Sequence, residues 1–246
     1  MAAVVAGCGG ASSDGVSRPP LVVSAAASLQ AAFTSYGKHF TEGRARFSFA
    51  GSDVLAAQIR NGLKPDVFAS ANTTYPDALY QMGLVNKPIR FAANELVLAT
   101  PAGKTKIKSL ADLGKPGVRL AIGAPSVPVG SYTRRVLDML PRAREQAILA
   151  NVRSAEPDVT GIVGKLTQGA VDAGFLYTTD VHATNGKLQE IHLPASLQPV
   201  VEYGVAIVNG AKHPEAAKAF IYGLLSGAGR DALDAAGFRA APSGPV

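Results

Sequence analysis

The sequence predicts an α/β fold of two similar lobes with a ligand cleft between them, each lobe a mixed, mostly parallel sheet flanked by helices. Three observations carry this. Beyond residue 20, short apolar runs alternate with stretches of helical periodicity, as in sheets whose strands are joined by crossover helices. Two apolar strands, Glu95–Thr100 and Val201–Val208, bracket a middle segment that repeats the logic of the first. The chain has 246 residues, 47% apolar and 17% charged, enough for one or two domains and outside the composition of a disordered chain.

The elements follow in order. Leu21–Val23 is a strand, and Leu29, Phe33, Tyr36 and Phe40 then fall on one helix face at spacings of four, three and four. Arg46–Ala50 is a second strand, followed by a helix marked by Leu55, Ile59 and Leu63 that ends near Gly62; Asp66–Ala71 is a third strand. In the middle segment come the strand Val118–Gly123, a helix with Tyr132, Val136 and Leu140 on one face, and the strand Val152–Ala155. A helix with Val159, Ile162, Val163 and Leu166 leads to the strand Ala173–Tyr177. After Val208, Ala217, Phe220, Ile221, Leu224 and Leu225 share a helical register, and a last helix ends at Gly237. The expected division is 20–98 plus 204–246 for the first lobe and 99–203 for the second, with 1–19 as signal remnant and tether.

Charge narrows the function. Lys and Arg outnumber Asp and Glu by 24 to 18, a net +6 that favours anions in general. The cations form no long basic run, the densest stretches being Lys104–Lys108 and Arg134–Arg135, and Trp is absent, which argues against nucleic acid. A single Cys excludes disulfides within the chain, and the four His are far apart with no HExxH spacing, so catalytic zinc has no support. No run approaches 18 apolar residues. Val5-Ala6-Gly7-Cys8 is similar to a bacterial lipobox, although only seven residues, none basic, precede the Cys. The expectation is an exported monomer, extracytoplasmic and anchored to the membrane by lipid on Cys8, with Gly9–Pro20 as a flexible tether.

In an open α/β sheet, ligands bind beyond the carboxyl ends of the strands, where helix N-termini point. Four such turns stand out: Ser24–Leu29, Ala50–Asp53, Pro125–Ser131 and Glu156–Thr160, none containing Lys or Arg. Free first-turn N–H groups and the helix dipole make an anion site without formal positive charge. A Ser at such a position is also a common helix cap. A serine hydrolase is the competing class, but there is no G-x-S-x-G elbow and no phosphate-binding loop, and no His lies near Ser28 or Ser52 in sequence.

The stretches Ala25–Leu29 (AAASL), Phe49–Leu55 (FAGSDVL), Pro65–Ala71 (PDVFASA), Leu120–Gly130 (LAIGAPSVPVG), Asp158-Val159, Gly174–Tyr177 (GFLY) and Tyr203–Val208 (YGVAIV) run in order along the chain. As a series they resemble the substrate-binding proteins of bacterial molybdate ABC transporters. The resemblance implies the type II periplasmic binding protein fold, no enzymatic activity, no cofactor, and an ABC permease with its ATPase as partner. The ligand it implies is molybdate or tungstate, with sulfate or phosphate as the alternative. It also implies a ligand set: hydroxyl and N–H from Ser28 and Ser52, backbone N–H from Val129 and Val159, and the phenol of Tyr177. Val129 stands where Ala is expected, and Asp53 where Ser or Thr is usual. Asp53 is expected to face solvent, since a carboxylate in the cleft would repel a dianion.

Molybdate near neutral pH offers only acceptors, which a set of donors matches. Hydrogen bonds to a charged ligand at roughly 1.5–3 kcal/mol each, less desolvation and closure, leave about 8–12 kcal/mol, or micromolar to nanomolar affinity.

Overall fold

The computed structural model describes residues 18–103 and 107–242. Cys8, Lys104 and Lys106 lie outside them. Two five-stranded sheets are built with the same internal order. In the first, β1 (Pro20–Ala26) lies between β2 (Arg44–Ala50) and β3 (Val67–Ser70), all parallel. The strands β10 (Val201–Ile207) and then β4 (Ile89–Asn94) follow, both pairings antiparallel. In the second, β6 (Leu120–Gly123) lies between β7 (Val152–Glu156) and β8 (Ala173–Tyr177), all parallel. There β5 (Leu96–Pro101) and then β9 (Leu188–His192) complete the sheet antiparallel. The orders are β2-β1-β3-β10-β4 and β7-β6-β8-β5-β9. Half the pairings in each sheet are therefore antiparallel, although four of the five strands point the same way, the mixed, mostly parallel arrangement expected. The reason is that the strand entering from the other lobe runs back against its neighbours.

The expected lobe limits at 98/99 and 203/204 cut through β5 and β10. Pairing along the full length of these strands puts the crossings earlier: one at Glu95, where β4 leads directly into β5, and one within 193–200, between β9 and β10. Each sheet keeps its entering strand whole, because a divided strand would leave ladder groups unpaired.

Helices α1 (Gln30–His39), α8 (Pro214–Leu225) and α9 (Ala228–Ala235) cover one face of the first sheet. Phe33 and Phe220, both fully buried, meet there edge to face at 5.5 Å. The opposite face carries α2 (Ser52–Arg60) and α3 (Thr74–Gln81), whose Leu55, Ile59 and Leu79 pack on Phe68 and Ala206. The alternation of strand residues between the faces, Val67 and Ala69 to one and Phe68 to the other, is the period-two geometry of a sheet buried on both sides. The second sheet is covered by α4 (Pro128–Asp138), α5 (Arg142–Ala150), α6 (Val159–Thr167) and the short α7 (Thr178–His182). Buried Asp66 ties the first lobe together, accepting the Val22 N–H at 2.8 Å and the His213 N–H at 2.9 Å. Among the described residues no helix is long and apolar enough to cross a membrane.

Candidate functional site

The shared strand order brings equivalent turns face to face. β1 and β2 of one lobe and β6 and β7 of the other each end at a helix start, and these starts meet in the cleft. There Ser28, Ser52, Val129, Val159 and Tyr177 line one cavity together with Ala26, Ala27, Gly51, Pro128 and Asp158. All five predicted residues are thus brought together. The cavity is narrow, well below the roughly 300–1,000 Å³ of pockets that hold drug-sized organic ligands. No Lys, Arg or His lines it.

Each group arrives for a local reason. Ser28 sits in a 3₁₀ turn, Ala27–Leu29, that joins β1 to α1, and Ser52 is the first residue of α2 behind Gly51 at the cap position. Neither hydroxyl caps its helix. Ser52 Oγ instead accepts the Ala71 N–H at 3.1 Å, and Ser28 Oγ lies 2.9 Å from the phenol of Tyr203. In α4, Pro128 occupies the first turn, where its missing N–H costs nothing, so Val129 carries the first free N–H of that helix. An added Cβ on Gly130 would collide with the carbonyls of Gly123 and Ala124, so the glycine lets this helix start sit tight on its loop. Asp158 caps α6 as its position suggests, accepting the Gly161 N–H at 3.2 Å. Its carboxylate is thereby engaged with its own helix, and Val159 opens the first turn beside it.

Tyr177, at the end of β8, is fully buried, and its phenolic oxygen has no hydrogen-bond partner among the described residues. Burial pushes the Tyr177 phenol well above its ordinary pKa, with Tyr203, Tyr132 and Asp180 adding to the shift, so it remains a donor. An orphaned buried donor costs about 1–3 kcal/mol, and it lines the one cavity where free N–H groups of three helices also converge. The arrangement suits a small ligand made entirely of acceptors.

Asp53 differs from expectation. It does not face solvent but reaches across the cleft, where its Oδ2 accepts the Ser126 hydroxyl at 2.7 Å while its Oδ1 is buried and unpartnered. Tyr75, on α3, donates its hydroxyl to the Ser126 carbonyl. Burial, and then the Asp53 charge, push the Tyr75 phenol up. Asp53 does not line this cavity, so the carboxylate clasps the lobes at its rim. Ser126 and Tyr75 carry no sequence signal for this role, since the pairing is of residues 51 and 73 positions apart. Among the described residues no group of three or more His, Cys, Asp or Glu is placed to hold a metal ion.

Residues 21–239 match the family described as bacterial extracellular solute-binding protein. The chain is 38% identical over 224 residues to the molybdate-binding protein ModA of Mycobacterium tuberculosis, covering 89% of this chain and 84% of that protein. It is 30% identical over 223 residues to the molybdate-binding protein ModA of Escherichia coli, covering 84% of this chain and 83% of that protein. Among solved structures, the periplasmic molybdate-binding protein of Azotobacter vinelandii aligns with a TM-score of 0.77 at 23% identity, over 89% of this chain and 98% of that chain. The sulfate-binding protein SubI of M. tuberculosis aligns at 0.80 and 18% identity, over 92% and 88%, and shares the fold.

Proposed function

The chain belongs to the bacterial extracellular solute-binding protein family, and from that premise we propose that it captures molybdate outside the cytoplasm and delivers it to an ABC permease for import. The observation that carries this reading is the buried, unpartnered Tyr177 hydroxyl in a cavity without cations, lined by two hydroxyls and the first turns of three helices. The relatives named for molybdate support the identity of the anion.

In the proposed complex the tetrahedral anion sits between the lobes. Ser28 and Ser52 each give a hydroxyl and a backbone N–H, Val129 and Val159 each a backbone N–H, and Tyr177 its phenol. Fixed dipoles in a dry cleft bind a dianion strongly because they need no reorganisation. They respond to the shape and protonation of the ion more than to its central atom, so tungstate is expected to bind as well. The protein works as a monomer without catalysis or cofactor, with Cys8 as the site of a lipid anchor.

Calorimetry of the ligand-stripped protein against molybdate, tungstate, sulfate and phosphate near pH 7 tests the reading. Saturable molybdate binding in the micromolar to nanomolar range is expected; binding of phosphate without molybdate would overturn it. Mass spectrometry of the full-length protein from its own host tests the anchor, a plain thiol at Cys8 being the contrary result.

A further inference from the structure

Behind the anion cavity lies a buried polar chain that the ligand set does not include. Asn94 ends β4, immediately before the chain crosses to the second lobe. Its Oδ1 accepts the Glu95 N–H at 2.9 Å, which fixes the orientation of the amide and leaves Nδ2 pointing the other way. The two Nδ2 hydrogens have two acceptors: Thr179 Oγ1 of the second lobe at 2.9 Å, and the Tyr203 phenolic oxygen at a longer 3.4 Å. Tyr203, on β10, is fully buried among Phe91, Tyr177 and Phe238. Burial holds its phenol well above the ordinary range, so it keeps its proton. With Asn94 donating to the phenolic oxygen, that single proton is left for Ser28 Oγ, 2.9 Å away.

We propose that Tyr203, aligned by Asn94, is a positioning residue of the anion site that occupies a lone pair of Ser28 Oγ and so commits the Ser28 hydroxyl to donate into the cavity. The inference rests on the proposed ligand role of Ser28. Ser52 is set the same way by the Ala71 N–H. Two hydroxyls, each with one of its two lone pairs engaged by the protein, keep their protons free to donate into the cavity. A fully deprotonated oxyanion is matched by such a site, whereas hydrogen phosphate brings a proton that finds no prepared acceptor. Selectivity against protonated anions therefore originates partly in a residue that never touches the ligand.

The experiment is a double-mutant cycle on Tyr203→Phe and Ser28→Ala, with molybdate and phosphate titrated calorimetrically at pH 7. Tyr203→Phe keeps the ring packing and is expected to weaken molybdate binding about tenfold in the wild-type background and by less than twofold when Ser28 is already Ala. It is also expected to lower the molybdate-to-phosphate affinity ratio, because Ser28 regains an accepting lone pair, a change that simple loosening of the core does not produce. An equal loss in both backgrounds, or an unchanged ratio, overturns the proposal. If Tyr203→Phe does not fold, Asn94→Ala must show the same coupling to Ser28, and its absence is equally decisive. Failure of the wild-type protein to bind molybdate would instead overturn the functional reading.

Discussion

At the scale of single residues, the hydroxyls of the cavity fall into two kinds with opposite expected behaviour. Tyr177 has no partner among the described residues, so its phenol is a cost to the ligand-free state that the proposed ligand would remove. Tyr177→Phe should therefore raise the unfolding free energy of the stripped protein by about 1–3 kcal/mol and weaken molybdate binding about tenfold or more. Denaturant unfolding and calorimetry on the same samples check both signs. Ser52 Oγ already accepts the Ala71 N–H, and Ser28 Oγ shares a hydrogen bond with the Tyr203 phenol. Their alanine variants should lose affinity by at least severalfold and lose stability too, because each leaves a buried donor unpaired. Asp180 sets a pH dependence of its own. Burial is the main reason its carboxyl is raised to about 7, the Tyr177 N–H working against that rise and Asp158 with it. The folded protein thus holds this proton more tightly than the unfolded chain does. The contribution of this group to stability is fully present below the ordinary aspartate range and is lost as pH rises from about 4 to 7, by up to ~4 kcal/mol. Asp180→Asn should flatten that fall in thermal unfolding measured across the same pH range.

At the scale of elements, what the sequence revealed depended on burial. Strands buried on both faces, such as Val67–Ser70 and Ala173–Tyr177, show as apolar runs, and the helices that cover them carry a clear apolar face. The edge strands β4 and β9 and the helix α5 were not legible. Ile89–Asn94 and Leu188–His192 expose part of their length and mix polar with apolar residues, and α5 buries only Ile148. The turns that line the cavity were legible because a strand-to-helix turn is a local signal, whereas Tyr177 was singled out only by the family resemblance. The distant partners, Tyr203 beside Ser28 and Ser126 on Asp53 at the rim, were not legible, because they arrive from 175 and 73 positions away. Gly51 shows how a local turn serves a distant contact. Its backbone, φ −58° and ψ 138°, is open to any residue, yet an added Cβ would meet the Pro157 carbonyl of the other lobe at 2.5 Å. Gly51→Ala should leave the ligand-free stability nearly unchanged while holding the lobes apart. The expected result is a more than tenfold loss of affinity by calorimetry, together with a larger radius of gyration in excess molybdate by small-angle X-ray scattering.

At the scale of the whole molecule, affinity is divided between contacts to the anion and contacts between the lobes. Two backbone crossings, at Glu95 and within 193–200, join the lobes at one side. At the cleft mouth Asp53 and Tyr75 of the first lobe both hold Ser126 of the second. An Asp in the first turn of α2 also competes with the anion for the dipole of that helix, so it serves binding only if the clasp repays the repulsion. In the proposed complex, exit of the anion would require the clasp to open, whereas entry into an open cleft would not. Ser126→Ala removes the donor to Asp53 but keeps the carbonyl that Tyr75 uses. It should raise the dissociation rate of molybdate by about 3–10-fold, in keeping with one hydrogen bond of roughly 0.5–1.5 kcal/mol, and leave the association rate unchanged. The association rate instead belongs to the net charge of +6, and it should fall as salt screens that field. Stopped-flow tyrosine fluorescence separates the two, since the chain has no Trp and Tyr132, Tyr177 and Tyr203 cluster at the site. If Ser126→Ala changed the association rate alone, the rim contact would be part of the approach path rather than the closure.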